Sequence, residues 1–375
     1  MLGLSGVRLA NFRSYGAAEI AIDRRSVVLA GANGAGKTNL LEAISLLGPG
    51  RGLRGAKLAE HVRRAPAPAP DADTLWAVSA TVARGDGDWE IGTGLAPATG
   101  GGEKRLMRLN GAPAPSVADI AEILPMLWLT PAMDRLFIES PGGRRRFLDR
   151  LVLGLDTAHA RRAARYETAM RERLRLLRDG RRDPAWLEGL EETMAETGAA
   201  IAAARARTVS ALNAELDGRA HAGAFPSARL SVDAEASEDA LASAFAASRE
   251  RDAEAGRTTA GPHVADLAVR HAEKRADARD CSTGEQKALL ISIVLANARL
   301  QARARDGFAP ILLLDEIAAH LDARRRAALF EEILALGTQA WMTGTDLSLF
   351  EALGADAQTF LVASQDSGSR FLRQE

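Results

Sequence analysis

The hydrophobic and polar positions of this chain fall into three stretches with different rhythms. From Leu4 to Ala30 short apolar blocks and alternating positions predict two strands, Leu4 to Ala10 and Glu19 to Ala30, joined by the turn Asn11-Phe12-Arg13-Ser14-Tyr15-Gly16. The second strand ends in Val27-Val28-Leu29-Ala30. After a glycine-rich break, Leu40, Leu41, Ile44 and Leu47 recur at helical spacing. Residues 75 to 111 alternate again (Leu75 to Val78, Trp89 to Ile91, Arg105 to Leu109), which predicts antiparallel strands with Asn110-Gly111 as a hairpin turn. Leu124 to Thr130 reads as a further strand, closed by Pro131.

The period lengthens from Arg144 to about Glu250. Phe147, Leu148, Leu151, Val152 and Leu155 make one apolar stripe. Pro184 suits the first turn of a helix running through Leu187, Leu190, Met194, Ile201, Leu212 and Leu216. At 1.5 Å per residue that helix spans about 50 Å, a lever or short hairpin rather than a long coiled-coil arm. Strand character then returns. Ile311 to Leu314 is wholly apolar and predicts a strand of a parallel sheet covered on both faces, and Gln339 to Asp346 predicts the next strand and its loop.

At 375 residues the chain has length for two or three domains. The formal charge of −1 means that any attraction to nucleic acid must come from local patches. Arginine supplies nearly all the positive charge, with Lys37, Lys57, Lys104, Lys274 and Lys287 the only lysines. One cysteine, Cys281, leaves no pair for an internal disulfide and no cysteine cluster for zinc. Without an apolar run of about 18 residues or a signal-peptide start, the expectation is a cytoplasmic protein that does not span a membrane and has no membrane partner. Ala65 to Pro70 alternates alanine and proline, a stiff excursion without chemistry.

The break at Gly31-Ala32-Asn33-Gly34-Ala35-Gly36-Lys37-Thr38-Asn39 has the form Gly-x-x-x-x-Gly-Lys-Thr, between a strand and a helix. Glycines there let backbone N–H groups close around phosphates, and the helix N-terminus adds positive potential. Lys37 is placed for the β and γ phosphates and the Thr38 hydroxyl for Mg²⁺, so the stretch predicts ATP or GTP binding. The apolar run at 311 ends in Asp315-Glu316. Asp315 then shares Mg²⁺ with Thr38, and Glu316 orients or deprotonates the attacking water. Gly48-Pro49-Gly50-Arg51-Gly52-Leu53-Arg54 is either a plain connection or a second set of phosphate contacts.

Cys281-Ser282-Thr283-Gly284-Glu285-Gln286-Lys287, 33 residues before Asp315, resembles the signature motif of ABC-type ATPases. Ser282, Gly284 and Glu285 match its Leu-Ser-Gly-Gly-Glu form, while Cys281 and Thr283 depart from it. In that class the signature closes the nucleotide site of a second subunit, which implies an ATP-dependent homodimer. Ala319-His320-Leu321-Asp322 is similar to the D-loop, with Asp322 the residue carried over. A switch histidine is missing, with Thr345 in its place, and no glutamine falls between Thr130 and Asp134, where the Q-loop belongs.

Between Lys37 and Asp315 lie 277 residues, a spacing expected of ATPases whose fold is split by an inserted helical segment and not of compact transporter subunits. Asn11 to Tyr15, Gly31 to Glu42, Leu46 to Arg54, Arg108 to Gly111, Pro141 to Asp149, Gly261 to Leu267 and Ser282 to Lys287 occur in the order seen in the RecF family. The chain thus resembles these bacterial recombination-mediator ATPases of the SMC-like ABC class.

The resemblance implies an α/β ABC-type ATPase lobe, a mixed sheet with a phosphate loop and an antiparallel β-subdomain, built from residues 1–140 and 256–375, with an α-helical lobe inserted at 141–255. It implies ATP and Mg²⁺ as cofactors, slow hydrolysis as a switch, binding to double-stranded DNA near single-strand gaps, and work with RecR and RecO toward loading RecA. Arg13 matches a position that contacts phosphates in related repair ATPases. Arg144, Arg145 and Arg146 begin a stretch to Arg182 with thirteen arginines against five acids. These either meet DNA phosphates or form a solvated face paired with acids. His263, after Gly-Pro, is read as structural. Another SMC-like repair or defence ATPase and, further off, a transporter's ATP-binding subunit stay open as alternatives.

Overall fold

The computed structural model describes residues 1–64, 76–85, 87–98, 102–180, 183–218, 223–233, 237–365 and 368–374; the Ala65 to Pro70 excursion lies outside them. The chain divides into two compact units, the first Met1–Asp134, Gly223–Phe225 and Asn297–Glu375, the second Arg135–Ala222 and Pro226–Ala296.

In chain order, β1 (Gly3–Phe12) and β2 (Tyr15–Ala21) precede β3 (Ser26–Ala30) and α1 (Lys37–Ser45). Next come β4 (Ala77–Arg84), β5 (Gly87–Ala98), β6 (Gly102–Leu109), β7 (Ala112–Pro113), α2 (Val117–Ile123) and β8 (Met126–Leu129). The helices α3 (Pro141–Leu153), α4 (His159–Arg178) and α5 (Pro184–Asp217) lead to β9 (Ala228–Val232), α6 (Glu238–Ala247), α7 (Arg249–Ala255), β10 (Leu267–His271) and β11 (Ala276–Asp277). The last elements are α8 (Thr283–Ala304), β12 (Ile311–Leu314), α9 (Ala323–Leu336), β13 (Ala340–Gly344), β14 (Ala357–Gln365) and β15 (Gly368–Gln374).

Two six-stranded sheets build the first unit. One has the order β15-β14-β3-β13-β12-β8, with every pair parallel except the edge pair β14–β15. Every residue of β3, β12 and β13 is buried, which is why those strands read as continuous apolar runs. The other sheet, β2-β1-β4-β5-β6-β7, is antiparallel and turns at Asn110 and Gly111, both with positive φ (50° and 79°) as a tight hairpin requires. Its alternating half-buried pattern matches one face on the core. Leu40, Leu41 and Ile44 of α1 are fully buried in a core shared with Val27 and Leu29 of β3 and with Val7, Val78 and Val82 of the antiparallel sheet. Each such side chain contributes about 1.5–3 kcal/mol of burial.

One expectation is corrected here. Glu19 to Ala30 is not one strand: β2 ends at Ala21, and β3 starts at Ser26 in the other sheet. Asp23 and Arg25 make a local ion pair in the break, so the polar residues mark a crossing between sheets.

In the second unit α4 and α5 lie antiparallel, since Arg173 meets Glu191 while Arg165, further back, meets Glu196, further on. The unit continues to Ala296 instead of ending at 255. β9 pairs with β10 across the expected boundary, and Arg205 of α5 donates to the Pro262 carbonyl. These bonds join residues before 255 to residues after it. His263 has the structural role expected of it: its Nε2 donates to the Thr258 carbonyl (3.0 Å) and its Nδ1 accepts the Tyr166 hydroxyl (2.7 Å).

Two histidines, the buried His61 and the half-buried His263, make stability depend on pH. In the first unit His61 stacks on Phe12 with ring centroids 5.4 Å apart, and neither ring nitrogen has a hydrogen-bond partner. Burial pushes its pKa below the ordinary 6.5, more than neighbouring Glu42 raises it. Burial likewise lowers His263. A folded state that disfavours the imidazolium binds fewer protons than the unfolded chain, so this stability is complete above about pH 6.5 and is lost as pH falls toward the folded values. Denaturant unfolding is therefore expected to show a stability that declines from pH 7 to 5.5. His61→Phe, which keeps the stack, is expected to flatten that decline, and an unchanged slope would assign it elsewhere.

Candidate nucleotide site

The phosphate loop leaves the buried end of β3 and enters α1 through Gly36. A Cβ on Gly31 (φ 148°) would sit 2.3 Å from the Val362 carbonyl oxygen, and one on Gly36 (φ 112°) 2.5 Å from Ser369 Oγ. Both glycines are required by the close approach of the loop to β14 and β15. Ala32, Asn33 and Gly34 form an exposed rim, while Ala35 is buried. Lys37 folds back beneath that rim, its Nζ donating to the carbonyls of Gly31 (2.7 Å) and Ala32 (2.9 Å). Burial lowers its pKa, and the nearby carboxylates of Glu316 and Asp315 oppose the shift. A partly desolvated ammonium at the floor of a glycine loop is a strong attractor for phosphate.

β12 carries the acidic pair to the same place. Thr38 Oγ1 donates to Asp315 Oδ1 at 2.9 Å. Thr343, at the end of β13, donates to the same oxygen at 2.8 Å and accepts the Glu316 N–H at 2.8 Å. Glu316 is half-buried and its backbone is left-handed (φ 50°), an uncommon state for a residue with a side chain. For Mg²⁺ the donor set fits: a hydroxyl and a carboxylate, both hard oxygens, stand together beside the phosphate loop. Mg²⁺ takes one or two protein oxygens and completes its shell with phosphate oxygens and water.

Around α1 the structure adds residues that sequence reasoning missed. Arg13 binds Glu42 in bidentate fashion (2.9 and 3.0 Å) and the Glu60 carbonyl (2.7 Å). Arg54 donates to Glu42 (3.0 Å) and to Asn39 Oδ1 (2.9 Å), while Asn39 Nδ2 donates to Ser14 Oγ (2.9 Å). The fully buried Glu42 carboxylate thus gathers two arginines next to the start of α1. The stretch from Leu46 to Gly50 is gathered by Arg105, which donates to the carbonyls of Leu46, Gly48 and Gly50. Burial brings that guanidinium down to about 10. Its signal in the sequence was positional, because Arg105 shares the half-buried face of β6 with Met107 and Leu109.

Asp322 caps α9, accepting the Arg325 N–H at 2.8 Å. The signature residues belong to the second unit. Ser282 and Glu285 cap the start of α8 reciprocally: Glu285 Oε2 accepts the Ser282 N–H and hydroxyl, both at 3.0 Å, and Ser282 Oγ accepts the Glu285 N–H at 3.4 Å. Lys274 pairs with Glu285 and, with the Ser282 bonds, holds its carboxyl at about 2. A Cβ on Gly284 would meet nothing within 4 Å, so this end of the helix is open to a ligand.

Of the arginines at the start of α3, Arg144 is committed to Asp266 (2.9 and 2.7 Å) and to backbone carbonyls, and Arg145 to the Ala265 carbonyl (3.0 Å). Arg146 is exposed. Arg162, Arg165, Arg171 and Arg173 also pair with acids, so much of this arginine-rich stretch takes the ion-paired reading.

Comparison with known proteins agrees with this geometry. The family model described as the RecF/RecN/SMC N terminal domain matches residues 3–365. The DNA replication and repair protein RecF of Agrobacterium fabrum is 53% identical over 374 residues, 96% of this chain and 97% of the relative. That of Mesorhizobium japonicum is 51% identical over 370 residues, 96% of each. Among solved structures, the recombination mediator protein RecF with ATP, from the RecFOR pathway, superposes with a TM-score of 0.80 at 22% identity, covering 99% of this chain and 98% of that one. The Pyrococcus furiosus Smc head domain with an extended coiled coil, bound to the C-terminal domain of ScpA, gives 0.58 at 19% identity, covering 100% and 97%. With its split lobe, phosphate loop and acidic strand end, the chain has the ABC-type ATPase fold and belongs to the RecF family.

Proposed function

We propose that the chain is an ATP-dependent DNA-binding recombination mediator in DNA replication and repair. The observation that carries the reading is the hydrogen bond from Thr38 to Asp315, which joins the two halves of a phosphate-loop ATPase site across the inserted segment. Family membership directs that site toward repair. Lys37 takes the β and γ phosphates, with the backbone of Gly31 to Thr38 around them and Asn39 and Arg13 beside them. Thr38 and Asp315 hold Mg²⁺, which offsets phosphate charge when bound. Glu316 orients and deprotonates the attacking water. Ser282, Gly284 and Glu285 of a second copy close the site, with Asp322 at the same junction, so that ATP joins two subunits and slow hydrolysis releases them.

The assembled dimer binds double-stranded DNA beside single-strand gaps and, with RecR and RecO, assists loading of RecA on chromosomal DNA in the cytoplasm. Arg144 is held by Asp266 and Arg145 by the Ala265 carbonyl, whereas Arg146 is exposed, and it is the triplet's contact to DNA phosphate. Fluorescence anisotropy of a labelled gapped duplex, titrated with protein in ATP, in ADP and without nucleotide at two salt concentrations, tests the reading. Salt-sensitive binding confined to ATP is the expected result. Absence of binding in all three states would remove DNA from the function and leave the nucleotide site.

A further inference from the structure

Thr343 is absent from the nucleotide chemistry described above, yet it joins that chemistry's two acidic residues. Leu314 of β12 lies opposite Met342 of β13 in the parallel pairing, so Asp315, the first residue past β12, stands beside Thr343, which is still within β13. The Thr343 side chain is fully buried, and its hydroxyl works in both directions: it accepts the Glu316 N–H and donates to Asp315 Oδ1, each at 2.8 Å. Thr38 donates to the same carboxylate oxygen at 2.9 Å. One hydroxyl group therefore fixes the carboxylate on the metal side and the backbone of the carboxylate on the water side.

That backbone needs fixing. Glu316 is held at φ 50°, and a strained residue of this kind keeps its conformation only where its surroundings over-determine it. The peptide N–H held by Thr343 is the one that enters that conformation. Without the hydroxyl, the Glu316 N–H loses its hydrogen-bond partner, and the residue relaxes toward right-handed or extended backbone, which moves its carboxylate. Lys37 and the glycine loop are held by their own bonds to Gly31 and Ala32 and are unaffected.

We propose that Thr343 is a positioning residue for ATP hydrolysis. It fixes the Asp315–Glu316 peptide so that Asp315 serves the metal side and Glu316 the water, while nucleotide binding proceeds without it. The proposal rests on the ATPase reading above and is tested separately from it. Valine keeps the shape of threonine but neither accepts nor donates; serine keeps the hydroxyl.

The experiment uses the full chain as wild type, Thr343→Val, Thr343→Ser and Lys37→Ala. Single-turnover hydrolysis of Mg-ATP gives the chemical rate, titration with a fluorescent ribose-labelled ATP gives the affinity, and thermal unfolding reports folding. In Thr343→Val the rate is expected to fall on the order of 10²-fold, the scale of a small misplacement at a reacting centre, with affinity little changed. Thr343→Ser is expected to restore most of the rate. A Val variant that hydrolyses as wild type overturns the proposal. So does a Val variant that loses affinity and rate together, or a Ser variant as slow as a folded Val variant. If Thr343→Val does not fold, Thr343→Ala takes its place in the same comparison. A wild type that does not hydrolyse ATP, or that Lys37→Ala matches, refutes the ATPase reading and the proposal with it; loss confined to the Thr343 variants leaves that reading intact.

Discussion

A Glu316→Gln protein is expected to bind ATP, form a dimer and remain there. Glutamine has the size of glutamate and keeps its backbone N–H for Thr343, so the left-handed turn at residue 316 survives the change. What it loses is the capacity to take a proton from water. Removing a general base costs typically 10²–10⁴-fold in rate, whereas Lys37, Thr38 and Asp315, proposed above to hold the nucleotide and its metal, are untouched. Light scattering in saturating ATP is therefore expected to give twice the monomer mass, persisting long after wild type has released its nucleotide. A monomeric Glu316→Gln protein under those conditions would sink the ATP-joined dimer, and hydrolysis at the wild-type rate would take Glu316 out of the chemistry.

The second large effect concerns stability. Arg173 of α4 is fully buried and donates to Glu191 Oε1 (2.8 Å), Asp252 Oδ2 (2.7 Å) and the Phe245 carbonyl (2.7 Å). Glu191 is also held by Arg249, and Asp252 by Ser248 and Thr259. Arg173→Met leaves two carboxylates without their central cation, and breaking a buried pair in this way costs about 3–5 kcal/mol. Denaturant unfolding followed by circular dichroism is expected to show that loss. Replacing Arg173, Glu191 and Asp252 together by Met, Leu and Leu is expected to recover much of it, because the desolvated charges go as well. If the triple variant is as unstable as the single one, the network stabilises through its geometry and not through charge balance.

Much of the candidate site's geometry was legible because its residues are local in sequence. A strand, a glycine loop and a helix are contiguous from Val27 to Leu47, and Ile311 to Glu316 announces its own burial and its own carboxylates. The signature helix was legible for the same reason, its cap being Ser282 and Glu285 three residues apart. What was not legible depends on partners far along the chain. Arg13 finds Glu42, Arg144 finds Asp266 across 122 positions, and Arg105 finds the carbonyls of a loop more than fifty positions upstream. Periodicity assigns a residue to a face and says nothing of which charge waits there. The second unit's extension to Ala296 was hidden likewise, since it follows from the pairing of β9 with β10, two strands separated by two helices.

The Glu42 cluster has a consequence for how the site meets its ligand. Two guanidiniums, Arg13 and Arg54, share one carboxylate there, while His61, 3.8 Å away, is kept neutral by burial. With Glu60 the nearby acid, Arg13, Arg54 and Glu42 together sum to one positive charge at α1. Its reach in solution is about one screening length, roughly 8 Å at physiological salt. A polyanion approaching within that distance is drawn inward before any hydrogen bond forms. Nucleotide association is therefore expected to slow as ionic strength rises, even where the contacts made at the end are unchanged.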